Sequence, residues 1–554
     1  MYHTFPLLRL QGFVPRGRIF SVGMGLLRQR SIIVAAAMAS VSTSPCYLTT
    51  NEVVMNPPAR LSSVSKSTEL HQLFQSYYEN IIDCIRYMQR QLKKLIYVLV
   101  RSSYLSSLFA PCAITSPTLL VGGKRLRALW WELFRYCVRL SGPCNTKLCQ
   151  WIATRPDLFP FEMVQELSKL QTRAYKHDWK QTVMALEEAF GNGWSDLLEV
   201  SERSKVLGSG CIASVYLGRL KEVNKKKGMT RDDDVAIKVI HPGVCEAIEA
   251  DIRILQLLTT FSEWIIPGMR LLSLRESVEE FQKLMTRQLN LKVEASNLMR
   301  LRANFEEDGV SNVSFPRPVD GLVSENVLVE TFQEGTLMSD LLEDGKGKFS
   351  NGDEWDLNAA TRKQLSLIGL DAVLRMVFRH NFIHADLHPG NMITQAHRTT
   401  EAEYVPGAQH MVFTLSMIDA GIVAELNQSD RVNFMDLFKA IITNDGWTVG
   451  KLMIDRSRGD IGDIIDRHGF EAGMAAIVEE VSKHGLSLGR IGIADLLQKV
   501  LLLCYSHRVK LESNFVSVVI AIGVLEGLGR RLDPDVDLLR LATPYILRGG
   551  MKNI

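Results

Sequence analysis

Zinc-binding patterns are missing from this sequence. None of the nine cysteines stands in a Cys-x-x-Cys pair, and Cys144 and Cys149, five apart, have no second pair to complete a knuckle. An odd, scattered set in a chain of 554 residues reads as reduced thiols, not as a disulfide frame. No His-Glu-x-x-His occurs, which removes a common helical zinc-hydrolase pattern. There is no internal repeat. Acidic residues are absent before Glu52, whereas Arg9, Arg16, Arg18, Arg28 and Arg30 are present. The formal net charge of +3 therefore belongs to the N-terminus, and the remainder is near −2. A near-neutral body gives no reason to expect a nucleic-acid partner.

An Arg-rich, Ser-containing, acid-free start is the composition of a mitochondrial transit peptide, here 1–51. Import draws on a negative potential and acidic receptors, so negative charge is excluded. A secretory signal fits less well, because arginines interrupt the apolar residues throughout.

At 46% hydrophobic and 23% charged, the chain is ordered and long enough for several domains. A helical segment covers 52–124, with a helix expected over 65–101. Residues 102–123 carry no charge and just reach bilayer length, but include Pro111 and Pro117. A membrane span and a membrane-proximal or buried linker both remain open for them. A helical extension follows over 125–200. Strands are expected at 214–219, 235–240 and 327–332. One long helix is expected from about Ser273 to Phe305, with Val278, Phe281, Leu284, Met285, Leu289 and Val293 at 3-4 spacing. After Leu365 the pattern is mostly helical to the end, apart from a hairpin over 392–419. Lys225-Lys226-Lys227, followed by Asp232-Asp233-Asp234, reads as a solvated loop. Strands before helices predict an α+β fold with a sheet lobe, 201–330, and a helical lobe, 331–554.

The chemistry sits in three stretches. Gly208-Ser209-Gly210-Cys211-Ile212-Ala213, then Val215, is a glycine loop followed by a strand, not by a helix, so it is not a dinucleotide-binding turn. Its backbone can approach a phosphate closely. An ordinary glycine hairpin gives the same pattern. Val235-Ala236-Ile237-Lys238 comes next; alternation puts Ala236 and Lys238 on one face, room for an adenine ring beside a phosphate-reaching ammonium. Lys238 needs a carboxylate, and Glu294 on the long helix is a candidate. Third, His384, Asp386 and Asn391 have the spacing of a kinase catalytic loop, and Asp419 in Met417-Ile418-Asp419-Ala420-Gly421 follows as a metal ligand. Asp386 would orient an attacking hydroxyl or water, and Asn391 and Asp419 would hold magnesium. The rival, a zinc cage of His380, His384 and His388, needs one helical face, which Pro389-Gly390 interrupts. His380 then reads as structural and His384 as a brace for the loop.

With these motifs the chain resembles the UbiB/AarF-domain (ADCK) atypical kinases over roughly 125–547. His384-Ala-Asp-Leu-His-Pro-Gly-Asn391 is very close to that family's catalytic loop. Asp419-Ala420-Gly421 resembles its metal motif, and Glu294-Ala295-Ser296-Asn297 its Glu-Ala-x-Asn segment, which strengthens Glu294 as the partner of Lys238. Leu525 to Pro534 also has the family's look. The resemblance implies a two-lobed protein-kinase-like fold with a family-specific helical extension, and ATP and Mg2+ as cofactors. It also implies a Lys-x-Gly-Gln helix that lies over the active site and obstructs protein substrates. Lys147-Leu148-Cys149-Gln150 occupies that place, with Cys for Gly. Its lysine should face a Glu-x-Asp motif, whose positions here are Gln288 and Asn290, so neutral hydrogen bonds should replace an ion pair. The glycine loop also departs from the family's alanine-rich one, implying less restricted ATP binding.

No Ala-Pro-Glu follows Gly421, and a helix begins near Ser429, leaving no room for a long activation segment. An ATPase, or a kinase of small or lipid-like molecules, fits better than a conventional protein kinase. The family implies support of coenzyme Q or related lipid metabolism, with lipid or quinone-pathway molecules and proteins as partners, at the mitochondrial inner membrane. The alternative is a nucleotide-binding pseudokinase scaffold.

Overall fold

The computed structural model describes residues 66–153, 159, 161–170, 178–221, 234–265, 274–349, 351–398, 411–457, 464–484, 493–509 and, near the end, 529, 531–533, 536 and 538–549. The expected leader over 1–51, the lysine run at 225–227, Asp232, Asp233 and most of 525–534 lie outside them. Contacts divide the chain into two units, 1–85 and 86–554. Residues 66–85 of the first are helical.

Helix α1 (Lys66–Thr115) does not stop at 101 as the sequence suggested; it runs on through the uncharged stretch. Hydroxyls there fold back on their own helix, Ser102 Oγ donating to Val98 O at 2.7 Å and Thr115 Oγ1 to Pro111 O at 2.7 Å. Tertiary packing completes it. Phe109 meets Phe134 of α2 (Lys124–Ser141) with ring centroids 5.8 Å apart, and Trp130 Nε1 donates to Cys112 O at 2.9 Å. By length and hydropathy alone, Ile81–Leu119 is sufficient to cross a bilayer. Pro143, at the first position of α3 (Pro143–Ala153), follows Gly142 at φ +98°, a conformation that favours glycine. Helix α4 (Trp179–Phe190) starts with a capping box between Asp178 and Gln181.

A six-stranded antiparallel sheet comes next. Its order is β1 (Leu198–Glu199), β3 (Ala213–Leu220), β4 (Asp234–Ile240), β7 (Val327–Thr331), β6 (Pro318–Val323), with β2 (Val206–Ser209) also pairing β3. Alternation along β4 divides its side chains between two cores. Val235, Ile237 and Val239 pack outward with Leu186 of α4 and with Val327 and Val329. Ile240 and Leu328 face inward onto α5 (Val244–Ile265), α6 (Leu274–Gln288) and α7 (Leu291–Glu307). The single helix expected over 273–305 is thus two. Its apolar period continues across the break, but Asn290 takes extended backbone at φ −127° and caps α7, its side-chain oxygen accepting from Lys292 N at 3.0 Å.

The second lobe is helical around a four-stranded sheet, ordered β5 (Val313–Ser314), β11 (Met411–Met417), β10 (Met392–Arg398), β8 (Thr336–Leu337). The expected hairpin is β10 and β11. Helix α8 (Ala359–Leu374) ends in a π-helical turn over Arg375–His380, closed by Asn381 at φ +51°. Asn381 Nδ2 donates to Leu426 O at 2.7 Å, fixing where the chain leaves that turn. The next residues form β9 (Ile383–His384), paired with β12 (Val423–Ala424). Helices α9 (Gln428–Ile442), α10 (Gly446–Asp455), α11 (Arg467–His484), α12 (Ile493–His507) and α13 (Leu538–Gly549) complete the described chain. This is an α+β, helix-rich kinase-like fold with a helical extension.

Candidate active site

The strand β4 and the helix α7 bring one ammonium against two carboxylates. Lys238 Nζ donates to Glu294 Oε1 at 2.8 Å and Oε2 at 2.9 Å, and to Asp419 Oδ1 at 2.7 Å. Glu294 is 3% exposed. Burial pulls the Lys238 pKa down, but Asp419 and Glu294 outweigh it and hold it above the usual lysine value. Burial pushes Glu294 up to about 7 against the pull of Lys238. For Asp419 the lysine wins over burial and the pKa falls below the usual carboxylate range.

Asp419 has φ +61°, an uncommon conformation for a residue other than glycine, which is where functional sites often hold backbone strain. The loop carrying it is tied down from two sides. Asn297, one turn beyond Glu294 on α7, donates Nδ2 to Ala420 O at 2.9 Å. His384 Nε2 lies 3.0 Å from Ile418 O, and Asn391 O accepts from Ile418 N at 3.0 Å. The Glu-Ala-Ser-Asn segment therefore reaches both Lys238 and the Asp419 loop. Asn297 was quoted from the sequence only as part of that motif; its place on the Glu294 face was the available signal.

The catalytic-loop candidate is held by its own backbone. Asn391 Nδ2 donates to Asp386 O at 3.0 Å, Asn391 N to His388 O at 2.8 Å, and Gly390 N to His388 Nδ1 at 3.0 Å. The amide donation leaves Asn391 Oδ1 to serve as an oxygen ligand. An Asn oxygen and the Asp419 carboxylate suit magnesium, which takes one or two carboxylates and completes its shell with phosphate oxygens and water. The histidines have other tasks: His380 Nε2 lies 3.1 Å from Asp308 Oδ2, and its ring sits edge-on to Phe305.

The glycine loop is a tight hairpin tip. Gly210 N donates to Ala213 O at 2.9 Å, His241 Nε2 is 3.0 Å from Gly210 O, and Ser209 Oγ is 2.9 Å from Ser214 Oγ. Cys211 and Ile212 lie at the tip, and Val215 pairs with Lys238 across β3 and β4. A Cβ at Gly208 would meet nothing within 4 Å, and one at Gly210 only Ala213 O at 3.8 Å.

Lys147 on α3 does not pair with Gln288 or Asn290. Its Nζ stands 4.0 Å from Asp386 Oδ2. Asn290 already spends its side-chain oxygen on capping α7, Gln288 is the last residue of α6, and the nearest anion to Lys147 is the catalytic-loop carboxylate. Gln150 lies one turn further along α3, half-buried. One residue was missed altogether. Glu330 on β7 is 7% exposed, and its Oε2 has no hydrogen-bond partner among the described residues. An acid inside Val327-Leu328-Val329-Glu330 was the signal.

Comparisons with known proteins give the family. The ABC1 atypical kinase-like domain matches residues 169–453, and the UbiB helical domain matches 474–537. A mitochondrial ABC1 family protein of Saccharomyces cerevisiae is 32% identical over 505 residues, covering 82% of this chain and 75% of its own. A probable protein kinase UbiB of Enterobacter is 28% identical over 428 residues, covering 76% of this chain and 70% of its own. A solved Mycobacterium tuberculosis chain, in complex with erythromycin, covers 76% of this chain and 96% of its own at 16% identity and a TM-score of 0.47. This chain belongs to the ABC1/UbiB family of atypical kinases.

Proposed function

We propose that this chain is a Mg-ATP-dependent atypical kinase or ATPase of mitochondria, supporting coenzyme Q or related lipid metabolism at the inner membrane. The observation that carries the reading is the Lys238–Glu294–Asp419 cluster, whose Asp419 loop is bonded through Ile418 to Asn391 and His384 of the catalytic-loop candidate. Glu294 fixes Lys238, whose charge is then offered to phosphate oxygens. Asn391 and Asp419 are the magnesium ligands, and the metal would neutralise charge on those oxygens. Asp386 orients the acceptor hydroxyl or water. Phosphotransfer of this kind needs positioning and charge more than covalent chemistry.

The acceptor is small or lipid-like. After Gly421 the chain enters β12 at Val423 and α9 at Gln428, so no long segment stands there to dock a polypeptide. The mitochondrial site is supported by the acid-free leader and by the yeast relative's name. The quinone connection is supported by relatives named UbiB. A second reading, a nucleotide-binding scaffold without turnover, is favoured by Lys147 standing against Asp386.

Phosphate release by purified protein separates the two. Loss of release in Asp386→Asn, with ATP-induced thermal stabilisation retained, is the expected result. No release from the unaltered protein, with stabilisation retained, would leave the scaffold. Asp419→Asn should lose the magnesium-dependent part of the stabilisation; an unaffected variant would remove Asp419 from the metal site.

A further inference from the structure

Glu330 is a buried acid with no evident use in the fold. It pairs directly with Ala236 across β4 and β7, as Leu328 pairs with Lys238. Directly paired residues project to one face of an antiparallel sheet. Glu330 therefore shares the inward face with Ala236 and Lys238, two residues along the strand from the lysine. The outward neighbours Val327 and Val329 go to the opposite core.

Among the described residues nothing bonds its Oε2. The three N–H donors of Lys238 are engaged by Glu294 Oε1, Glu294 Oε2 and Asp419 Oδ1. The other charges acting on Glu330 are the carboxylates of Glu294 and Asp419. A buried, unpaired carboxyl oxygen is costly, and native structures rarely keep one without a purpose. An acid there would repel phosphate, so the phosphate end of the cleft belongs to Lys238. The end beside the small Ala236 is left for a base. Of the groups a nucleotide base presents, N–H groups donate to either form of a carboxyl, and in the adenine of ATP the 6-amino group is the one that carries them.

We propose that Glu330 is a specificity-determining residue of the nucleotide cleft, its free Oε2 accepting a hydrogen bond from the 6-amino group of an adenine base. This rests on the nucleotide-binding reading above. Burial pushes the Glu330 carboxyl up to about 8, as an acid without a local donor should behave. The carbonyl oxygen of a protonated carboxyl still accepts, so the contact survives either protonation state.

Binding of ATP and of purine riboside triphosphate, which lacks the 6-amino group, to the full-length protein with Mg2+ tests this. The unaltered protein should prefer ATP by about tenfold, the scale of one hydrogen bond to a buried acceptor. Glu330→Met, close in volume, should bring the two nucleotides within about twofold, because no acceptor is left unpaired. Glu330→Gln keeps an acceptor and should keep the preference. Equal binding of the two by the unaltered protein, or an undiminished preference in Glu330→Met, overturns the assignment. If Glu330→Met does not fold, the ratio for the unaltered protein decides alone. Binding of neither nucleotide by the unaltered protein removes the nucleotide reading and this inference with it.

Discussion

Three carboxyls surround the Lys238 ammonium, and their environments separate them. Asp419 touches Nζ and is held ionised, Glu294 touches it but lies deeper, and Glu330 feels its charge without a bond. The difference has a pH signature. Folded Glu330 keeps its proton up to about 8, whereas an unfolded glutamic acid releases it near ~4.3. Between those values the folded state binds more protons, so Glu330 makes stability fall as pH rises. Above 8 the penalty is constant, and below the unfolded value it vanishes. Glu294 contributes in the same direction up to about 7. Glu330→Gln should therefore gain stability over the unaltered protein on going from acid to mildly alkaline pH, by roughly 4–5 kcal/mol. Thermal unfolding across that range measures it; parallel pH profiles would rule the shift out.

Among the elements, legibility followed periodicity. The strands at 214–219 and 235–240 were readable because alternation survives in a half-buried sheet. The break at Asn290 was not, because Met285 and Leu291 keep an unbroken apolar face while the turn is fixed by a cap and by Leu291 N donating to Glu325 O. The continuation of α1 past 101 was hidden for the opposite reason: an uncharged stretch with prolines has a weak helical pattern until α2 packs on it. Placement of α7 against the Asp419 loop depends on Asn297, 9% exposed. Asn297→Ala should lower stability by about 1–3 kcal/mol, since Ala420 O is left without that donor. Asn297→Asp has the same shape but no N–H and should cost at least as much. Denaturant midpoints for both variants measure this, and a neutral Asn297→Asp would mean the bond contributes nothing.

At the scale of the whole kinase body, the candidate-site motifs could be read from the sequence because each is a short run of fixed spacing. Asp386 and Asn391 are close in sequence, and their loop closes on its own backbone. The partner of Lys147 was not legible, because it depends on where the extension docks. That docking has an identifiable anchor. Arg101 on α1 donates to Asp251 on α5 through Nε at 2.7 Å and Nη2 at 2.9 Å, and also reaches Ser141 O at the end of α2. Asp251 is 1% exposed, so the fork joins the extension to the kinase body in a dry setting. Removing one partner of such a pair leaves the other buried and uncompensated, whereas removing both does not. Arg101→Ala should cost roughly 3–5 kcal/mol, and the Arg101→Ala/Asp251→Ala pair clearly less than the sum of the two single variants. Because α3, with Lys147, follows directly on α2, the same single variant should change how Asp386 is covered. Proteolysis within α1 to α3 should therefore quicken in Arg101→Ala and return toward the original rate in the double variant. Additive single effects with unaltered proteolysis would show that the extension is held to the body by its apolar contacts alone.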